Sequence, residues 1–293
     1  MKCLILSGGA EKGIGFLGLI QYLEQYNIIS KIETFYGTSI GSIIGLMISI
    51  GYTSKELEYI IKRMNIKELL VRDELNLTNF LEKFGFYEPN KIIRLVDLLI
   101  KKKTNLEQPT FVELYQKYRK NLIITGSCIN DYKCYYFNWK DNPNMRVLDA
   151  IRISISIPIL FYPVAYENKL FLDGALYNNY PVQHALKTYK MDEILGCFIN
   201  VHFAEENNID NLDKFIKVCI RSLYVKFNFL SLELFKECSV ILDCEKIYYD
   251  FSSMEEIDNF IRLGYNATEQ HFKNRFPKLD ISIKSLNIKD IVL

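Results

Sequence analysis

The chain has 293 residues, of which 49% are hydrophobic and 24% are charged, a length and composition typical of a globular protein with a sizeable core. Its 36 Lys and Arg residues are balanced by 35 Asp and Glu residues, which gives a formal net charge of +1. A body of this charge has no net field with which to hold a polyanion, so we expect no nucleic-acid partner.

The cysteines and the first residues indicate a cellular compartment. Seven cysteines are scattered along the chain without a CxxC pair or the density of a disulfide framework, which is typical of free thiols in a reducing environment. The apolar run after Met1 is interrupted by Gly8 and Gly9, so it is too short for a signal peptide. These features predict a cytoplasmic protein.

Membrane-spanning helices and histidine-based metal sites are not expected. A span needs roughly 20 consecutive apolar residues, whereas the longest candidate, residues 40–50, is shorter and interrupted, which favours a buried helix. The three histidines, His184, His202 and His271, lie far apart without ligand spacing. Any catalysis must therefore use other side chains.

The first 50 residues show a strand, turn and helix pattern twice. Residues 2–6 form an apolar run that ends in glycines, and residues 12–26 repeat apolar side chains at helical steps. A second strand is predicted at residues 34–36 and a second helix at residues 40–50. Repeated strand–helix units favour an α/β fold with a parallel sheet that helices cover.

Capping boxes mark three later helix starts, at Thr53 with Glu56, Thr110 with Glu113 and Ser253 with Glu256. The helical region between the first two, including residues 92–100, is expected to form a flap over one side of the sheet. Residues 121–129 and 132–139 flank Asn130-Asp131 and predict a hairpin, which makes the sheet mixed.

The last third of the chain adds a predicted strand at residues 194–201, a helix at residues 212–235, and a strand followed by a capped helix within residues 242–271. We see no internal repeat and no linker. The prediction is one domain over residues 1–275 with a C-terminal extension over residues 276–293.

Gly37-Thr38-Ser39-Ile40-Gly41 matches the G-x-S-x-G pattern of a nucleophile elbow, in which a strained turn exposes a serine hydroxyl above a sheet. Taken alone, the five residues fit a glycine-rich helix start as well. The predicted strand before them and the apolar helix after them favour the elbow.

Asp173 is the candidate base, because no histidine has a setting that recommends it. It ends the apolar run of residues 170–172 and is followed by Gly174 and Ala175, whose small side chains would let another backbone approach its carboxylate. The competing interpretation is that Asp-Gly simply forms a turn.

The loop Gly8-Gly9-Ala10-Glu11-Lys12-Gly13 lies between a strand and a helix, where backbone amides can face an anion. The anion would be a tetrahedral oxyanion in an acyl-transfer enzyme, or otherwise a phosphate. Residues 13–18 also read G-x-G-x-x-G, but they start too late after the strand for a dinucleotide site. We interpret Gly15 and Gly18 as helix-packing positions.

The glycine loop, the elbow and Asp173-Gly174-Ala175, in this order, resemble the patatin-like phospholipase family. The segment 153–163, with two serines and two prolines, resembles the stretch that precedes the aspartate in that family. Ala10 stands where the family usually has a third glycine, so the loop keeps its amide but gains a methyl group that disfavours positive φ.

The resemblance implies a three-layer α/β/α fold with a mostly parallel, mixed central sheet. It implies that Ser39 is the nucleophile, Asp173 its base, and the loop with Gly8, Gly9, Ala10, Lys12 and Gly13 the oxyanion hole. Gly37 and Gly41 would shape the elbow, and Gly174 and Ala175 the aspartate motif. Lys12 could hold the loop, meet a lipid phosphate or be solvated.

The implied activity is a lipid acyl hydrolase of phospholipase A or lysophospholipase type, with an acyl-lipid substrate and no metal or cofactor. A peripheral, transient membrane contact follows from such a substrate. The helices between Leu57 and Ile100 and the nearby lysines 101–103 are candidates for that contact, or else a packed helix with a solvated basic end. The alternative is a binding or regulatory protein with little turnover, and a nucleotide-dependent oxidoreductase comes third.

Overall fold

A computed structural model describes residues 1–64, 77–202, 208–212, 214–216, 218–219, 221–222, 233–244 and 253–275. The strands are β1 (Cys3–Leu6), β2 (Thr34–Gly37), β3 (Gly85–Tyr87), β4 (Asn121–Cys128), β5 (Lys133–Phe137), β6 (Ile159–Phe161), β7 (Val164–Tyr166), β8 (Lys169–Asp173), β9 (Ile194–Val201) and β10 (Ser239–Cys244). The helices that build the fold are α1 (Gly15–Gln25), α2 (Ile40–Ser49), α3 (Ser54–Arg63), α4 (Leu77–Lys83), α5 (Asn90–Thr104), α6 (Phe111–Tyr118), α7 (Val147–Ser154), α8 (Ala175–Asn178), α9 (Val182–Ala185) and α10 (Met254–Arg275).

The central sheet is mixed, as predicted. Its strand order is β10-β9-β1-β2-β4-β8-β7, and β5 pairs with β4. The run from β10 to β4 is parallel, whereas β5, β7 and β8 pair antiparallel. A second sheet, formed by β3 and β6, was not predicted from the sequence, because each strand has only three residues.

Helices cover both faces of the central sheet. Leu4 and Leu6 on β1 pack with α1, α2 and α10, while Cys3 and Ile5 pack on the other face with residues 180–185. Successive side chains of a strand point to opposite faces, so the fully buried β1 separates two apolar layers. The three-layer α/β/α arrangement is confirmed.

Most predicted elements have the expected positions. The strands at 34–36 and 194–201 and the hairpin around Asn130-Asp131 are confirmed. The first helix is preceded by a 3₁₀ turn, Ala10–Ile14, so that the α-helix begins only at Gly15.

The predicted helix starts are confirmed, whereas parts of the predicted chain end lie outside the described residues. Both capping boxes at Thr53 and Thr110 are complete, and at Ser253 the hydroxyl accepts the Glu256 amide at 3.5 Å. The predicted helix at 212–235 lies largely outside the described residues, as does the extension 276–293. The last described helix ends at Arg275, and the domain limits stay a prediction.

All seven cysteines are free thiols, in agreement with the sequence pattern. Across the described ranges, no helix combines the length and the apolar character that crossing a bilayer requires. The same residues contain no group of three His, Cys, Asp or Glu side chains placed to hold a metal ion.

The glycines of α1 serve helix packing. A Cβ atom at Gly18 would overlap the backbone of α10 at Ile261 and Tyr265, and one at Gly264 would overlap the carbonyl oxygen of Gly15. The two helices therefore approach backbone to backbone, which explains the G-x-G-x-x-G pattern without a nucleotide.

We expect Gly18→Ala to lower the free energy of unfolding by about 1–3 kcal/mol, because a methyl group in a packed contact forces the helices apart. The matched control is Gly45→Ala in α2, where the nearest atoms would lie 3.9 Å from the new methyl group. That change should be neutral or stabilising by up to about 1 kcal/mol, because alanine favours helix. Urea unfolding of both variants measures the difference, and equal stability would contradict the packing role of Gly18.

Candidate active site

Ser39 lies in the turn between β2 and α2 with a strained backbone. Its φ of 53° and ψ of −123° place it in a region that residues other than glycine rarely occupy. A Cβ atom at Gly37 would overlap Ser42, and one at Gly41 would overlap the carbonyl oxygens of Leu6 and Ser7. The two glycines thus allow the sharp turn that the elbow interpretation requires.

Asp173 is the last residue of β8, and its side chain is buried. The residue is 2% exposed, and its carboxylate accepts a hydrogen bond from the Ala175 amide at 2.8 Å. Burial raises the pKa of the carboxyl group to about 7, although the bond from Ala175 and a side-chain hydrogen bond with Ser39 act in the opposite direction. The structure therefore brings the two residues predicted as nucleophile and base together.

Strand β4 explains why they meet. Ile124 of β4 pairs with both Gly37 of β2 and Phe137 of β5, whereas Gly126 pairs with both Asp173 of β8 and Tyr135 of β5. Since β5 occupies one edge of β4, β2 and β8 share the other edge, where they end head to head. Their carboxyl-terminal residues consequently converge.

The serine-rich segment that begins at the end of α7 holds both Ser39 and Asp173. The hydroxyl of Ser154, which is fully buried, accepts the amide of Ser39 at 2.9 Å, and the carbonyl of Ser156 accepts the amide of Asp173 at 2.8 Å. The sequence marked this segment by resemblance, but gave it no role. In the structure it positions Ser39 and Asp173 relative to one another.

The glycine loop lies beside the elbow. A Cβ atom at Gly13 would overlap the side chain of Ile40, which directly follows Ser39, so the missing side chain permits this contact. Ala10 has a φ of 51°, in the left-handed region that favours glycine. The backbone therefore keeps a glycine-like conformation despite the alanine, at a cost of order 1 kcal/mol.

The amides of this loop differ in their availability. Asn179 accepts the Gly8 amide at 2.9 Å through Oδ1, so that amide is engaged. Neither the Gly9 amide nor the Ala10 amide donates to a described residue. Sequence reasoning missed Asn179, because nothing in the short segment after Asp173 indicates which distant amide it binds.

Lys12 is buried and pairs with Glu11. Its Nζ lies 3.0 Å from Glu11 Oε1, and the lysine side chain is 8% exposed. Of the three roles considered for Lys12, solvation is therefore wrong. A partly buried ion pair within the loop fits the role of holding it.

An apolar cavity of about 200 Å³ begins at Ser39 and Ala10. It runs along α2 from Ile40 to Met47, roughly 10 Å at 1.5 Å per residue. Its other walls are side chains of α3, α5 and the segment after α7: Leu57, Ile60, Ile61, Ile92, Leu95, Val96, Leu99, Ile155, Ile157 and Phe161. The predicted helical flap thus forms one wall of a cavity suited to an acyl chain.

The three histidines do not contact this pair. His184 stacks on Tyr136 and bonds the Tyr36 hydroxyl at 3.0 Å, and burial lowers its pKa. His202 lies beside Asp243 on the surface, and His271 is half-buried on α10. Asp173 is therefore the titratable group that the structure places at Ser39.

Comparison with known proteins shows the family of the chain. A family model described as patatin-like phospholipase matches residues 4–186. The chain is 29% identical over 262 residues to an uncharacterized protein of Acanthamoeba polyphaga mimivirus, covering 89% of this chain and 84% of that protein. It is 33% identical over 186 residues to a probable lipid hydrolase of Invertebrate iridescent virus 6, covering 64% of this chain and 63% of that protein.

The fold also has a solved counterpart. The crystal structure of VipD from Legionella pneumophila matches with a TM-score of 0.59 at 16% identity, covering 94% of this chain and 67% of that chain. At this identity the similarity concerns the fold alone.

We expect kcat/KM for ester hydrolysis to depend on the protonation of Asp173. A protonated carboxyl group cannot accept the serine proton, and burial raises its pKa to about 7, so activity should fall about tenfold per pH unit below that value. A pH profile on a soluble short-chain ester measures this, with circular dichroism at each pH as the folding control. Full activity down to about pH 4, the range of an ordinary aspartate, would contradict the perturbed base.

Proposed function

Because the chain belongs to the patatin-like phospholipase family, we propose that it hydrolyses fatty-acyl esters of lipids, as a phospholipase A or lysophospholipase, with Ser39 as nucleophile and Asp173 as base. The observation that carries the proposal is a buried Asp173 beside a strained Ser39 at the start of an apolar cavity. The printed name of the viral relative, a probable lipid hydrolase, agrees with this substrate class.

In the first step, the Ser39 hydroxyl attacks the ester carbonyl while Asp173 accepts its proton. A base whose pKa lies near the working pH combines a large unprotonated fraction with a useful driving force, and a pKa of about 7 meets that condition. The Ser154 hydroxyl accepts the Ser39 amide and the Ser156 carbonyl accepts the Asp173 amide, and these bonds would keep the two residues aligned during the transfer.

The negative charge then moves to the former carbonyl oxygen. The unengaged amides of Gly9 and Ala10 are the donors that would stabilise it, and preset donors of this kind typically contribute about 10²–10³ in rate each. Protonated Asp173 returns its proton to the leaving alcohol, which leaves an acyl group on Ser39. Water, deprotonated in turn by Asp173, releases the fatty acid and restores the serine.

The cavity would hold the acyl chain during these steps. Its lining is almost entirely apolar, so an aliphatic chain gains the free energy of leaving water, about 0.8 kcal/mol per buried methylene group. No residue of this scheme requires a metal or cofactor. The enzyme would act as a peripheral protein that contacts a lipid surface while it takes up substrate.

We expect Ser39→Ala to reduce fatty-acid release to the background rate and Asp173→Asn to reduce it by roughly 10²–10⁴. Fluorophosphonate labelling should disappear with Ser39→Ala, because the covalent product needs that hydroxyl. Matched controls are Ser49→Ala, a buried serine near the end of α2, and Asp149→Asn, an aspartate paired with Arg146. Both controls should keep near wild-type activity.

The outcomes separate the competing functions. Folded wild-type protein without labelling or turnover would favour a binding protein with little turnover. Activity that survives both substitutions would place the chemistry elsewhere.

Filling the cavity should change the acyl-chain preference. Ile43 is half-buried on α2 and faces the cavity, one helical turn from Ser39, so Ile43→Trp would occupy space that a long chain needs. We expect kcat/KM to fall more than about tenfold for a long-chain ester and less than about threefold for a short-chain ester. Ile29→Trp, at a half-buried position outside the cavity, is the control, and equal losses for both ester lengths would contradict the assignment.

A further inference from the structure

Helix α5 has two faces with different chemistry. One face carries Ile92, Leu95, Val96 and Leu99, which line the acyl cavity. The exposed side chains on its outer side are Lys91, Arg94, Leu98, Lys101 and Lys102. A single helix therefore separates the cavity from a basic surface.

The positive charge of this face contrasts with the rest of the chain. Helix α5 contains five basic side chains and one acidic side chain, although the whole protein is nearly neutral at +1. Ion pairs engage Lys101 with Glu107 and Lys103 with Glu56. Asp97, the acidic residue within α5, is half-buried, and its negative charge contributes to raising the pKa of Lys101. Lys102 and Arg94 are exposed and form no ion pair with a described residue.

An exposed apolar side chain accompanies these cations. Leu98 is 62% exposed in the middle of the basic face. Large exposed apolar groups beside lysines and arginines are the composition with which interfacial helices bind bilayers, since the cations meet lipid phosphates and the apolar groups enter the acyl boundary.

We infer that the outer face of α5 is the docking surface for an anionic lipid bilayer. Charge complementarity selects this occupant, because each Lys or Arg near an anionic leaflet contributes favourably and the face has no exposed acid of its own on α5. Docking here would place the wall of the acyl cavity against the membrane. The inference rests on the proposed function only in taking the docked lipid to be the substrate.

The test compares vesicles of phosphatidylcholine alone with vesicles that also contain phosphatidylserine. Wild-type protein should co-sediment with the anionic vesicles, and added salt should weaken the binding. The double variant Arg94→Glu/Lys102→Glu should bind them at least about tenfold more weakly. Leu98→Asp should also weaken binding, because it removes the apolar contact with the bilayer and adds a negative charge to the face.

The matched control is Lys31→Glu/Lys187→Glu, which makes the same change in net charge. Both lysines are exposed. Lys31 precedes the amino-terminal end of β2, whereas Ser39 follows its carboxyl-terminal end, and Lys187 lies just after α9. This variant should bind like the wild type. Equal weakening in the two double variants would show an effect of net charge alone and overturn the assignment, as would wild-type protein that binds neither kind of vesicle.

A soluble short-chain ester separates this inference from the proposed function. The α5 variants should hydrolyse it at the wild-type rate, because they leave Ser39 and Asp173 unchanged, while their fatty-acid release from anionic vesicles falls. Vesicle binding without hydrolysis of any ester would support the docking surface and contradict the proposed hydrolase. Hydrolysis of vesicle lipid that is insensitive to the α5 variants would do the reverse.

Discussion

The site depends on one constraint of the sheet, the shared edge of β4. Strand β2 reaches this edge from one direction and β8 from the other, and they stop two residues apart, at Ile124 and Gly126. Thr125 lies between them, and its hydroxyl donates a hydrogen bond to the Thr38 hydroxyl at 2.8 Å. The Thr125 side chain also leaves no room for a Cβ atom at Gly174. Antiparallel pairing of β8 is thus a requirement of the site, since a parallel strand would carry Asp173 away from Ser39.

The same convergence explains where the backbone is strained. Ser39 and Ala10 both have positive φ although neither is a glycine, and both line the start of the acyl cavity. Conformations of this kind cost of order 1–3 kcal/mol each and persist where neighbouring structure determines them. The determinants are neighbouring contacts. Close packing at Gly37 and Gly41 fixes the elbow, and the Gly8 amide bond to Asn179 together with the partly buried Lys12–Glu11 pair fixes the loop.

Local signals in the sequence were sufficient for much of this arrangement. Apolar periodicity located β1, α1 and α2, and capping residues located the starts of α3 and α6, because such features act within a few residues. Ser39 and Asp173 were identified by their motifs. The interactions that position them were not, since Ser154 and Asn179 act on partners 115 and 171 residues away in sequence. Likewise, the three-residue strands β3 and β6 have no periodicity to detect and depend on tertiary pairing.

Burial of Asp173 and the apolar cavity are two consequences of one low-dielectric environment. Removing water from the carboxylate raises its pKa, and removing water from the cavity favours an acyl chain. In the proposed mechanism, the serine proton moves to Asp173, and the buried negative charge leaves the carboxylate and reappears on the substrate oxyanion. Protonation removes the charge of the carboxylate and with it the desolvation penalty. At the same time the Gly9 and Ala10 amides, which have no described acceptor before this step, would gain the oxyanion as a hydrogen-bond partner. The net charge of the site stays constant through the step. The transfer is favoured because the oxyanion would be stabilised by backbone amides, whereas the carboxylate charge is desolvated.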